Sequence, residues 1–590
     1  MIRGFYRAAD MVPAVRRPAR PHVDAVLLWT VALAALAGCG RGGTESGAAP
    51  APGRAPALAR GNPAPGFAPA RTRGYILISI DTLRADHLGA WGYDRPTSPF
   101  LDRLAARATL FERAFVQIPS TLPSHMTMFT GLYPGEHGVY PPSGILAKEI
   151  PTLPEAFRAA GYKTSGHSEG GYVQGGYGFA RGFDEWTNDE YRADTDVERT
   201  LGRGLDFLSR LAPGEKFFLF LHTYSVHDPY APPAEYRALF WPGAPPAGAF
   251  SPVGENFASF NVGRLAADAA AVDYYRALYD ASIRYVDSQL ERFFAELERL
   301  GLADQTTVIV TSDHGEEFRE HGRLVHTQIY PECLHVPLLV VHPAQKSAAR
   351  VGAVVRAVDL FPTLAELAGL AAPVRLSGAS LVPLLRAPDA AGPGEAYAEG
   401  EMLGGTERTL IRQRERQLWQ LVWTAAEQEV DGFWVSREVR FDAVGAGLDL
   451  RAVAFHAPRR LAVMVDGEAR PSIELGTDWR PVHLALGGER KHAVVLSTPD
   501  CVSPYALGQG KDARCLSFKL AGIPLERVEL YDLAADPAAA HDRSGEGPPL
   551  LRELLARLRG IRHRPLAAAG QATLTEEQKK QLCALGYLCP

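Results

Sequence analysis

The chain has 590 residues, 46% of them hydrophobic and 22% charged, with a formal net charge of −5 at pH 7. That length holds one large domain with additions, or two to three domains, and the composition is that of a soluble globular protein. A slight acidic excess with no basic stripe argues against nucleic acid as a partner.

The N-terminus reads as an export signal. Arg3, Arg7, Arg16, Arg17 and Arg20 precede an apolar run from Ala25 to Gly38, broken only by Thr30. The run is too short to span a bilayer but fits a signal-peptide core. It closes on Leu36-Ala37-Gly38-Cys39, which resembles a bacterial lipobox whose cysteine is acylated after cleavage. Residues 1–38 are therefore expected to be a lipoprotein signal peptide, with an ordinary cleaved signal as the alternative. Gly40 after the cysteine argues against retention at the inner membrane. The expected location is the bacterial envelope, as an outer-membrane lipoprotein or in the periplasm.

Residues 39–72 are rich in Gly, Ala, Pro and Arg without hydrophobic periodicity, the composition of a flexible tether. From Tyr75 onward, continuous apolar runs alternate with helical stretches. The strand-like runs are Tyr75–Ile80, Phe217–Leu221, Thr307–Thr311 and Val336–Val341. The helical ones are Pro99–Ala108, Thr152–Ala160, Asp273–Leu300 and Asp359–Ala368. This alternation predicts an α/β domain, 73–425, with a doubly wound, mostly parallel sheet. Over 426–525 the texture changes to short half-apolar segments separated by turns, the pattern of a β-rich, sandwich-like insertion. A C-terminal segment, 526–590, regains helical character at Pro549–Leu558 and Leu574–Leu582. Beyond Cys39, an oxidising compartment makes Cys501–Cys515 and Cys583–Cys589 the expected disulfides, with Cys333 a packed core thiol.

Open α/β sheets place ligands at the carboxyl ends of their strands. Asp81 follows one expected strand, and Asp313-His314 follows another. Taken singly each aspartate reads as a helix cap; together with an adjacent imidazole they make a compact ligand set for a divalent cation. Ser120-Thr121-Leu122-Pro123-Ser124-His125 opens a further helix, with Pro inside the first turn. A hydroxyl there is either a plain cap or, on a metal, a nucleophile toward phosphorus or sulfur.

The motifs then resemble those of the sulfatase family. Asp81-Thr82-Leu83-Arg84-Ala85-Asp86-His87 is similar to the family's first metal segment, and Thr121–His125 followed by Thr130-Gly131-Leu132-Tyr133-Pro134 to its nucleophile segment. Thr311-Ser312-Asp313-His314-Gly315-Glu316-Glu317 with Glu320-His321-Gly322 is similar to its second metal segment. Shorter echoes lie at Arg181–Asp184, His227–Tyr230, Val358–Thr363 and Glu529–Pro537. The resemblance implies an alkaline-phosphatase-like fold and a single divalent metal held by Asp81, Thr121, Asp313 and His314. It also implies Thr121 as nucleophile, His227 as the acid that protonates the leaving oxygen, and His326 in contact with the transferred group. Absent the resemblance, His227 reads as a turn residue and His326 as a helix-surface residue. His321 reads as either a further acid or a loop former, and His222 as a satisfied structural histidine. Arg84 and Asp86 serve either the loop's geometry or the anion.

Two departures bear on substrate. Sulfatases place Cys or Ser, converted to formylglycine, where Thr121 stands, and Arg where His125 stands; threonine cannot follow that route. Asp-His also replaces the Asp-Asn of calcium-dependent members, and a nitrogen ligand favours Zn²⁺ or Mn²⁺ with Ca²⁺ as the third option. The expected activity is hydrolysis of small-molecule, glycan or lipid sulfate or phosphate esters. The alternatives are a phosphodiesterase or phosphoethanolamine-type transferase, and an inactive glycan-binding lipoprotein using aromatics such as Trp434, Phe441 and Trp479.

Overall fold

The computed structural model describes residues 72–582 apart from 189–196, 262, 346, 372–374, 403–404, 427–432, 436, 445, 489–490, 504–505, 508–515, 522–525, 547–548, 576–577 and 580–581. The leader and nearly all of the 39–72 segment, with Cys39, Cys515, Cys583 and Cys589, lie outside the described residues. Cys501 is disulfide-bonded, and Cys333 is a buried free thiol.

The central sheet has eight strands: β1 Gly74–Ile80, β2 Thr109–Phe115, β3 Lys163–Ser168, β4 Glu185–Asn188, β5 Phe217–Thr223, β6 Thr306–Thr311, β7 His335–Val341 and β8 Ala349–Arg356. Their order is β8-β2-β7-β6-β1-β5-β3-β4. All neighbours are parallel except β7, which runs antiparallel to both β2 and β6. Successive side chains of a strand point to opposite faces, and β1 shows it. Tyr75 and Leu77 pack with helices α2 Thr121–Thr130, α3 Leu153–Ala159 and α6 Leu360–Ala368. Ile76, Ile78 and Ile80 pack with α1 Pro99–Ala105, α4 Val197–Ser209 and α5 Ala269–Arg299. A helix layer therefore covers each face, which is why β1 reads as an unbroken apolar run. The long helix starts four residues before its expected position, because the Asp268 carboxylate accepts from Ala271 N and caps it.

A second, antiparallel sheet of eight strands begins at Glu395–Met402, Gly405–Arg414 and Gln417–Ala426. Gln417–Ala426 pairs along its length with Glu526–Asp532. That strand pairs with Glu438–Val444 at Asp442↔Glu526. Strands between 433 and 521 enclose a separate apolar core that includes Phe441. Phe441 is thus a core residue; Trp479 is 40% exposed, and the Trp434 side chain lies outside what is described. Pro549–Gly560 forms its expected helix. Of the expected Leu574–Leu582 helix, only Gln578, Lys579 and Leu582 are helical among the described residues. No described helix is long and apolar enough to cross a membrane.

Candidate metal centre and active site

β1 and β6 lie side by side and parallel, so Asp81 and Asp313 emerge at the same carboxyl edge. Neither caps a helix. After Asp81 the chain turns sharply at Thr82, whose φ is 59° and whose hydroxyl donates to Asp81 O at 2.7 Å. After β6, the Ser312 hydroxyl accepts from Leu83 N and donates to His314 O, tying the two turns together. His314 Nδ1 lies 3.0 Å from Gly315 O, which can only accept, so Nδ1 carries the proton and Nε2 presents its lone pair to the carboxylates. That nitrogen is 3.3 Å from Asp313 Oδ2 and 3.8 Å from Asp81 Oδ1.

Helix α2 delivers Thr121. Ser120 precedes it in extended conformation and makes no side-chain cap bond, and all ten helical residues are buried. As first residue of the helix, Thr121 turns its hydroxyl to His314 Nε2 at 3.3 Å and toward Asp81 instead of capping. The helix dipole adds positive potential at this end. One turn on, His125 Nδ1 donates to Thr121 O and its Nε2 accepts from Ser79, both at 2.9 Å. The Ser124 hydroxyl donates to Asp313 O at 2.6 Å. Two turns of chemistry, one from the sheet edge and one from the helix, are thereby locked against each other.

The donor set fits a cation. Ligand atoms of Asp81, Asp313 and His314 all lie within 4.8 Å of one another. Asp81 Oδ1 and Asp313 Oδ2 are buried without a geometrically good hydrogen bond among the described residues, an arrangement that costs free energy unless a positive charge fills it. Burial first, then the Asp313 and Glu316 carboxylates, push Asp81 well above its ordinary range. Burial holds His314 well below its ordinary range, with His326 adding to it; a neutral imidazole is the form that ligates. Two oxygens, one imidazole nitrogen and a hydroxyl suit a divalent cation.

His227 follows β5, its Nδ1 2.7 Å from Asp228 O, which leaves chemistry toward a substrate to Nε2. Burial and the His326 ring keep it well below its ordinary range. His326 is not on a helix: it follows the short strand Leu324–Val325. Its ring lies 4.3 Å from His314 and 5.0 Å from His227, centre to centre. It also lines a cleft of about 280 Å³ with Ser120, Tyr140, Asp228, Ala258 and Val325. All six residues expected at the site from the sequence therefore converge on one edge of the sheet.

Other sequence readings resolve differently. His222 is not a satisfied structural histidine: its Nε2 donates to Asp81 Oδ2 at 3.1 Å, while its buried Nδ1 has no hydrogen-bond partner among the described residues. It orients the Asp81 carboxylate. Arg84 grips Asp86 through two bonds and also reaches Glu320 and Glu316 O, so both brace the loop. His321 is tied to Glu332 and Ala539 O. Glu316, quoted in the Asp313 motif without a role, is fully buried with Oε1 2.9 Å from His326 Nδ1. No periodicity marks it, because its partner lies ten residues on in a loop.

The sequence profile of the sulfatase family matches residues 73–370. Human arylsulfatase K is 26% identical over 331 residues, covering 48% of this chain and 61% of that protein. An arylsulfatase from Clostridium perfringens is 22% identical over 411 residues, covering 58% and 85% respectively. The chain thus spans about three fifths of the length of the arylsulfatase K relatives it matches. A solved structure in complex with its substrate D-glucosamine-2-N,6-O-disulfate is 16% identical, with a TM-score of 0.56 over 83% of this chain and 97% of that one. At that identity the likeness establishes the fold.

Proposed function

Because this chain belongs to the sulfatase family, we propose that it is a metal-dependent hydrolase of sulfate or phosphate esters in which Thr121 is the nucleophile. The observation carrying this reading is the Thr121 hydroxyl, buried at a helix start and 3.3 Å from His314 inside the Asp81–Asp313–His314 cluster. Asp81, Asp313, His314 and Thr121 would hold one divalent ion, Zn²⁺ or Mn²⁺ ahead of Ca²⁺, which when bound supplies positive charge to the hydroxyl and to the transferred group. Thr121 Oγ1 attacks sulfur or phosphorus, giving up its proton toward the surrounding carboxylates, and the ester oxygen departs. That proton reaches the leaving oxygen by way of His227, whose Nε2, unprotonated in the resting site, takes it up and passes it on. Water then cleaves the covalent threonine ester.

The arylsulfatase relatives favour sulfate esters, whereas a threonine that cannot become formylglycine favours phosphoryl transfer as the second reading. Thr121 within bonding reach of the cluster counts against an inactive binder. Parallel assays on an aryl sulfate, a phosphate monoester and a phosphodiester, with Zn²⁺, Mn²⁺ and Ca²⁺ added separately, decide between the esters. Thr121→Ala abolishes turnover of the preferred one at an unchanged thermal midpoint; undiminished turnover overturns the mechanism. We further place the protein in the bacterial envelope, anchored through acylated Cys39. Loss of fatty-acid labelling in Cys39→Ser tests this.

A further inference from the structure

Two features beside His326 stand outside the mechanism above: a strained residue of the cleft wall next to it in the chain, and a buried carboxylate bonded to its ring. Val325 has a φ of 66°. A β-branched side chain rarely adopts that left-handed conformation, and such strain persists only where the surroundings over-determine it. What holds the next residue is Glu316. Its backbone is fixed at both ends, its N–H donating to Glu332 O at 2.9 Å and its carbonyl accepting from Arg84 Nη1 at 2.9 Å. Its side chain is fully buried and meets His326 Nδ1 at 2.9 Å, with the Tyr230 hydroxyl beside it.

We propose that Glu316 is a positioning residue that clamps the His326 ring, Nδ1 inward, so that Nε2 addresses the transferred sulfuryl or phosphoryl group from the cleft. This rests on the hydrolase reading of the site. A carboxylate accepts and does not donate, so the contact selects the tautomer with hydrogen on Nδ1. It also fixes the ring plane between His314 and His227, which a short two-residue strand cannot do. Outer partners of this kind are worth about 10–100-fold in activity.

Glu316→Gln, which keeps an acceptor oxygen of the same reach, should retain kcat within about tenfold of wild type, and Glu316→Leu should lose about 100-fold. KM should change less than about threefold and the metal content of both should match wild type. In a His326→Ala background Glu316→Leu should lower kcat by less than about threefold more, since coupled residues are not additive. Nitrogen NMR of ring-labelled protein should show His326 protonated at Nδ1 in wild type and Glu316→Gln. Equal losses in Gln and Leu, wild-type kcat in Leu, full additivity with His326→Ala, or His326 protonated at Nε2 in wild type would each overturn the proposal. If wild type turns over none of the three ester classes, the hydrolase reading fails instead, and the NMR arm still decides the Glu316–His326 contact.

Discussion

His321 joins the metal-side loop to the C-terminal segment, and its bond pattern predicts a pH-dependent stability. Nδ1 lies 2.6 Å from Glu332 Oε1 and Nε2 3.0 Å from Ala539 O, while the ring stacks on Tyr330 at 3.6 Å. Both nitrogens face acceptors, so only the imidazolium satisfies both. Burial opposes that charge, but the Glu332 carboxylate outweighs it and holds His321 up to about 9, from an ordinary 6.5. At about 1.36 kcal/mol per pKa unit the rise sets an upper bound of roughly 3 kcal/mol. The ring is 12% exposed and borders a cleft shared with Lys491 and Asp542, so solvent screening reduces the expected contribution to about 1–2 kcal/mol. Because the folded value lies above the unfolded one, the contribution is complete below about pH 6.5 and is lost as pH rises through about 9. The assay is thermal unfolding of wild type and His321→Gln across this range. Wild type should melt about 2–4 °C higher at pH 6, with the gap closing by about pH 9.5. A gap that does not change with pH would refute the assignment of His321 as a charged clamp.

Asp313→Asn removes one of two like charges that burial forces together, so the chelator-treated variant should be about 1 kcal/mol more stable than chelator-treated wild type. Elemental analysis should find it nearly metal-free; a lower midpoint with undiminished metal would contradict the site. In Gly315→Ala the new Cβ would stand 1.9 Å from Glu332 O. It should cost about 3 kcal/mol or more and disturb metal retention, read by thermal midpoint and metal content. Gly322→Ala meets no atom within 4 Å but sits at a φ of 90°. It should cost only about 1–2 kcal/mol and keep the metal.

Much of this was legible in the chain because its causes are local. Tyr75–Ile80 announces a doubly covered strand through its apolar run, and Asp81 and Asp313-His314 mark the ends where such sheets gather ligands. Motif order added Thr121, His227 and His326, and the departure at Thr121 was visible in one letter. The structural histidine expected at 222 turned out to hold Asp81, since the strand-end position is a local property but its partner is 141 residues away. Glu316 carried no signal for the same reason: a carboxylate beside a glycine in a metal motif shows its partner only when the 324–326 loop folds back.

By itself, the sequence determined the alternation of strands and helices, the residue types at the sheet's carboxyl edge, and the threonine in the segment that resembles the family's nucleophile motif, because periodicity and motif spacing are written along one dimension. The tertiary structure alone decided which of the histidines stand at the carboxylate cluster, in the cleft or in the frame. Thr121, His314 and His326 meet across loops from different strands and a buried helix. Which nitrogen of each ring faces outward depends on a carbonyl or carboxylate that only folding brings within 3 Å.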